Sequence, residues 1–205
     1  MLFPPGMPRI KRMLDLLGSM LGLIILSPFL LMLALLVRVN LGTPVLFRQP
    51  RTGYKGRVFH IYKFRTMSDA QSPDGKPLPD VQRLKGPGVF MRAASLDELP
   101  ELINILQGEM SLVGPRPLLE EYLALYSPDQ MRRHDVYPGL TGWAQVNGRN
   151  ALNWEEKFKL DLWYVKNWSF WLDIRILLLT PSIVFRRRNV NQPGRATVDR
   201  FTGND

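Results

Sequence analysis

The chain has 205 residues, a formal net charge of +9 and a sequence pI of about 10.1. It contains no cysteine, which excludes disulfides, thiolate metal sites and cysteine nucleophiles. Its basic balance suits nucleic acid, an anionic membrane surface or phosphorylated substrates.

The first element is "LLGSMLGLIILSPFLLMLALLVRV", Leu16 to Val39, apolar and long enough to cross a bilayer. It is longer than the apolar stretch of a signal peptide and runs into Arg38-Val39-Asn40 instead of a small-residue cleavage site. A retained membrane anchor over residues 1–40 is therefore expected. Arg9, Lys11 and Arg12 precede the run, and Arg38, Arg48 and Arg51 follow it. The positive-inside bias thus favours both ends in the cytoplasm. Ser27-Pro28 stands in the middle. Pro28 lacks the N–H that would reach the Ile24 carbonyl, and in hydrocarbon that carbonyl needs a local donor. The Ser27 hydroxyl can supply one. These residues alone leave two forms open: a kinked spanning helix, and a segment that enters the membrane and turns back.

Next, Val45–Arg48 and Arg57–Phe64 alternate apolar with basic residues around a glycine-containing turn, Gly53 to Gly56. They predict a β-hairpin with one wet, cationic face. The stretch from Ser68 to Gly88 is rich in Pro, Gly and Asp and reads as a loop. Ser95, with Glu98 three residues on, has the pattern of a capping box. Leu99, Leu102, Ile103 and Leu106 form a helical stripe, Pro100 is tolerated near the first turn, and Gly108 stops the helix.

All five tryptophans lie between Trp143 and Trp171, as befits a headgroup zone. Trp171–Phe185 is too short to span, carries Asp173 and Arg175, and contains Pro181. It reads as a helix lying in the membrane interface and ending in Arg186-Arg187-Arg188; a core helix is the plainer alternative. His60 and His134 are too isolated for a His-built metal site and read as surface or packing residues. No nucleic-acid recognition motif appears.

The chemistry centres on Asp97-Glu98. Two acids at a helix start are ordinarily caps. Here Arg92 precedes them, Arg116 follows in Pro115-Arg116-Pro117, and Lys63 and Arg65 lie on the hairpin. Cations and a helix N-terminus gathered around acids suit phosphate binding, Mg²⁺ coordination or attack on phosphorus. The helix start and Arg92 should keep Asp97 ionised.

The stretches "KFRTM", "RAASLDELPELINILQGEMSLVGPRP", "YPGLTGWAQVNGRN" and "KLDLWYVKNWSFWLDIRIL" resemble the bacterial sugar transferase family in its small, monotopic form. The similarity runs from Lys11 to Arg188. The resemblance implies an α+β, mainly helical fold with a re-entrant helix-break-helix at Ser27-Pro28 over residues 1–40. A catalytic domain would cover 41–188, with a small hairpin and interfacial amphipathic helices around the active site, and a tail would cover 189–205. It implies transfer of a sugar-1-phosphate from a UDP-sugar to undecaprenyl phosphate at the cytoplasmic face of a bacterial inner membrane, with release of UMP. Asp97 would be the nucleophile and would hold Mg²⁺ together with Glu98. Lys63, Arg65, Arg92, Arg116 and Arg149 would bind substrate. Anionic phospholipid is an expected partner, nucleic acid is not, and contact with downstream glycosyltransferases stays open. The tail is similar to that of relatives using UDP-N,N′-diacetylbacillosamine but departs at Arg195, which leaves UDP-GlcNAc and UDP-GalNAc as alternatives. The rival from another class is a non-catalytic, membrane-peripheral basic scaffold, which accounts for the charge and the aromatics but not for the framed Asp-Glu pair.

Overall fold

A computed structural model describes residues 2–148, 151–186 and 200–203. Helix α1 spans Arg9–Leu41, 33 residues, and passes through Pro28 without interruption. The expected break is thus drawn as continuous helix, for a local reason. Ser27 Oγ donates to the Ile24 carbonyl at 2.8 Å, filling the position that Pro28 leaves unbonded.

Both ends of α1 dock on the same body. Near its start, Lys11 Nζ donates to Val113 O at 2.8 Å and to Asp173 Oδ2 at 2.6 Å. Arg12 donates to the carbonyls of Ile105 and Leu106, and Asp15 accepts from Ser111 Oγ and Leu112 N. Near its end, Leu33 and Val37 pack with Phe64 and Met91. The opposite face carries an exposed apolar stripe through Met13, Leu17, Leu21, Ile24, Leu31 and Leu35.

Strands β1 (Leu46–Thr52) and β2 (Val58–Phe64) pair antiparallel, with Phe47 opposite Lys63 and Thr52 opposite Val58. The hairpin is expected from the alternation, but β1 runs past Arg48 to Thr52. Pro50 does not stop it, because a two-stranded sheet leaves every strand an outer edge where a missing N–H is tolerated. Phe59 and Ile61 of β2 enter the core with Leu102, Ile105 and Met110.

The expected loop contains a short helix, α2 (Asp80–Arg83), and bridges joining Gln71 to Pro77 and Met67 to Leu84. Helix α3 (Pro87–Ala93) then leads to a 3₁₀ turn, Leu96–Glu98, and to α4 (Glu101–Gln107). The capping box does not form. Ser95 is left-handed, at φ 55°, and its side chain makes no cap bond. Glu98 reaches charged partners instead, which bind a carboxylate more strongly than a backbone N–H does. Gly108 ends α4 at φ 82°, as expected. The buried face of α4 is Glu101, Leu102, Asn104 and Ile105, turned from the expected stripe. Asn104 is fully buried, accepts from Tyr62 N and donates to His60 O, which fastens α4 to β2.

Strands β3 (Ser111–Val113) and β4 (Gly139–Thr141) pair in parallel. A Cβ at Gly139 would stand 2.0 Å from Gly114 N, so this approach needs glycine. After α5 (Pro128–Met131) and α6 (Trp143–Asn147) come α7 (Trp154–Asn167) and α8 (Phe170–Arg186). Asn153 and Glu156 form a reciprocal cap on α7. Helix α8 continues through Pro181. It is both core and surface: Ile176 and Asp173 are fully buried, whereas Trp171 and Leu178 are each 76% exposed. His60 is exposed, and His134 is buried with Nδ1 3.1 Å from Gly53 O. Phe201 packs with Tyr122 and Phe158. Arg149, Arg187, Arg188 and Arg195 lie outside the described residues.

Candidate active site

Four elements meet around Asp97-Glu98: β2 supplies Lys63, α3 Arg92, the 3₁₀ turn the two acids, and the segment after β3 Arg116. Lys63 Nζ lies 2.7 Å from Glu98 Oε1 and 3.2 Å from Glu101 Oε1. Arg116 grips Glu98 with two nitrogens: Nη1 donates to Oε2 at 3.0 Å and Nη2 to Oε1. This fork-on-fork pair is the strong geometry for guanidinium and carboxylate, and for guanidinium and phosphate.

Asp97 differs. It is 8% exposed, and among the described residues none donates a hydrogen bond to its carboxylate. Burial, then the charge of Glu98, push it up to about 6, while Lys63, Arg92 and Arg116 pull the other way. At about 6 the carboxyl is still mostly ionised at neutral pH, but the helix start expected to keep it so is not there. Asp97 sits in a single 3₁₀ turn, not in the first turn of α4, and desolvation dominates. Burial also opposes the charge of Glu98, but Arg116 and Lys63 override it and hold that carboxyl well below the usual range. The two acids are thus driven apart, one titrating close to neutrality and the other held well below the usual carboxylate range.

Arg92 donates to Thr66 Oγ1 at 3.0 Å and remains close enough to influence Asp97. Arg65 is not gathered in the same way. Its three guanidinium nitrogens bond Met67 O, Thr43 O and Asp69, so it clamps the strand ends.

Sequence reasoning passed over four residues of the site. Glu101 lies three positions after Glu98, a spacing that places both on one helical face and could have revealed it. Arg51 is pushed down to about 10, by burial and then by the charge of Arg116, and its buried Nε has no hydrogen-bond partner. Arg133 and Asp161 form a buried pair at 2.7 Å, and Arg133 Nη2 donates to the backbone carbonyl of Arg116 at 2.7 Å. Nothing local distinguishes Arg133 from a surface charge in "MRRHD".

As to Mg²⁺, the described residues contain no cluster of three or more metal-ligating side chains, and both Glu98 oxygens engage cations. The free carboxylate of Asp97 fits Mg²⁺ in its usual manner, with one or two carboxylates completed by substrate phosphate oxygens.

A family model described as bacterial sugar transferase matches residues 7–187. An uncharacterized sugar transferase, EpsL of Bacillus subtilis (strain 168), is 50% identical over 194 residues, covering 95% of this chain and 96% of its own. The undecaprenyl-phosphate galactose phosphotransferase of Salmonella typhimurium (strain LT2) is 38% identical over 195 residues, 87% of this chain and 41% of its own. The UDP-glucose:undecaprenyl-phosphate glucose-1-phosphate transferase of Klebsiella pneumoniae is 40% identical over 181 residues, 83% of this chain and 39% of its own. The chain therefore spans about two-fifths of the two relatives with named substrates.

Proposed function

We propose, since this chain belongs to the bacterial sugar transferase family, that it moves a sugar-1-phosphate from a UDP-sugar to undecaprenyl phosphate and releases UMP. One observation carries the mechanism: Asp97 is a buried carboxylate that no donor among the described residues engages, beside Lys63, Arg92 and Arg116. A Coulombic cluster of this kind lowers the barrier where charge builds on a phosphoryl group.

In the first step an Asp97 oxygen attacks the phosphorus attached to the sugar. A phosphorus–oxygen bond to Asp97 forms, the bond to the bridging diphosphate oxygen breaks, and UMP leaves with the electron pair. In the second step a phosphate oxygen of the lipid attacks the same phosphorus. The bond to Asp97 breaks and its carboxylate returns. Lys63 and Arg116 rest on Glu98 until phosphate oxygens compete for them, so Glu98 keeps both cations oriented for the donor. Mg²⁺ would be held by Asp97, with Glu98 joining once its cations move to phosphate, and would supply neutralisation of the diphosphate.

The docking of both α1 ends on one body supports a monotopic placement with the site at the cytoplasmic leaflet. Residues Lys11 and Val37 cannot lie on opposite sides of a bilayer while touching the same domain. The two relatives named for their sugars above act on galactose and glucose. The donor is accordingly proposed as a UDP-hexose, with UDP-N,N′-diacetylbacillosamine, UDP-GlcNAc and UDP-GalNAc in the same assay panel.

The test is mass spectrometry after incubation with UDP-sugar and Mg²⁺ but no lipid. A phosphosugar adduct is expected on Asp97, absent from Asp97→Asn, and discharged by undecaprenyl phosphate. Turnover without any adduct would refute the covalent route.

A further inference from the structure

Arg116 is aimed from its backbone. Its carbonyl accepts from Arg133 Nη2, and Gly139 N donates to Pro115 O at 3.0 Å. Arg133 is 3% exposed and Asp161 4%, so the pair is sealed from water and cannot shift without leaving a buried charge unmatched. What seals it is aromatic. The guanidinium carbon of Arg133 stands 5.9 Å from the Phe158 ring centre and 6.0 Å from that of Tyr126.

Those two rings meet a residue from the far end of the chain. Phe201 lies 5.2 Å from Phe158, 5.8 Å from Tyr126, 5.7 Å from Tyr122 and 5.5 Å from Trp154, centre to centre. It is 5% exposed, whereas its neighbour Arg200 is on the surface with a loose pairing to Glu121 at 3.6 Å. Each ring that meets Phe201 edge-on contributes beyond the area buried. A single side chain thus backs both rings that confine Arg133, and Arg133 holds the backbone of the residue that meets phosphate.

We propose that Phe201 is a positioning residue for the donor site: through Tyr126, Phe158 and Arg133 it fixes Arg116 for a nucleoside diphosphate. The proposal rests on the reading of Arg116 as a phosphate-binding group. It assigns Phe201 no contact with substrate, only a hold on the residue that makes one.

The experiment is a double-mutant cycle on UDP affinity, by calorimetry with the full-length protein in detergent, well below the unfolding temperature. Arg116→Ala and Phe201→Ala are each expected to weaken UDP by about 5-fold or more. The double variant is expected to be no weaker than Arg116→Ala alone, because Phe201 acts through Arg116. Phe201→Leu keeps apolar volume but not the flat ring, and is expected to give the same pattern at smaller size. It serves as the reporter if Phe201→Ala does not fold. Unchanged affinity in Arg116→Ala would remove the phosphate role of Arg116, and this proposal with it. A loss in Arg116→Ala, together with either no loss or a fully additive loss from Phe201→Leu or Phe201→Ala, would overturn the proposal alone. Phe201 would then be a core residue that affects stability alone, or UDP by a route that does not pass through Arg116.

Discussion

At the scale of single residues, Asp97 and Glu98 are neighbours in opposite states because, among the described residues, cations bond Glu98 and none bonds Asp97. Asp97 titrates near 6, raised from the ordinary value of 3.8. A raised carboxyl pKa favours the folded state below the unfolded value, and that contribution is lost as pH rises through about 6. Asp97→Asn removes the buried charge. It should be inactive yet more stable than the parent above pH 6, by on the order of 2 kcal/mol, with the gain vanishing below about pH 4. Thermal melts at pH 4 and pH 8 measure this. In the parent, kcat/KM should fall as pH drops through about 6, since the protonated acid cannot attack. Arg116→Lys keeps the charge but loses the fork on Glu98 and phosphate. Its kcat/KM should drop by the equivalent of about 1–3 kcal/mol, read from UMP release.

At the scale of elements, legibility depended on how far each residue's partner lies along the chain. Ser27 was readable because the carbonyl it bonds belongs to Ile24, three residues back. The Ser95–Glu98 cap was misread because the partner that captures Glu98, Arg116, is 18 residues on. Arg65 was assigned to phosphate by pattern, but Thr43 and Asp69 engage its guanidinium from either side. Pro181 stands inside the helix expected over Trp171–Phe185. It removes one backbone bond near the end of α8, whereas Leu172 and Ile176 fasten the preceding turns into the core with Val113 and Tyr164. The same docking makes α1 testable. Cysteines replacing Arg9 and Arg48 should both resist an impermeant thiol reagent in intact cells and both react after lysis. Labelling of only one from outside would establish a spanning helix.

At the scale of the whole molecule, the exposed stripe of α1 and the outward Trp171 and Leu178 of α8 give the protein a large apolar surface alongside its +9 charge. Burial of apolar area is little affected by salt, whereas attraction to headgroups is screened. High salt should therefore leave the protein on anionic vesicles. Leu31→Lys with Leu35→Lys should weaken vesicle flotation while leaving the melting temperature nearly unchanged, since both side chains face outward. The buried contact of Lys11 with Asp173 joins positions 162 apart, and its contact with Val113 joins positions 102 apart. During synthesis α1 emerges first and must wait for α8 before its buried cation is matched. Long-range closure of this kind is slow, and an unmatched Lys11 stays at the water boundary until it happens. The contact makes the arrival of α8 a condition for seating the helix, so products interrupted before Asp173 should carry a loosely held α1 that cellular proteases can reach.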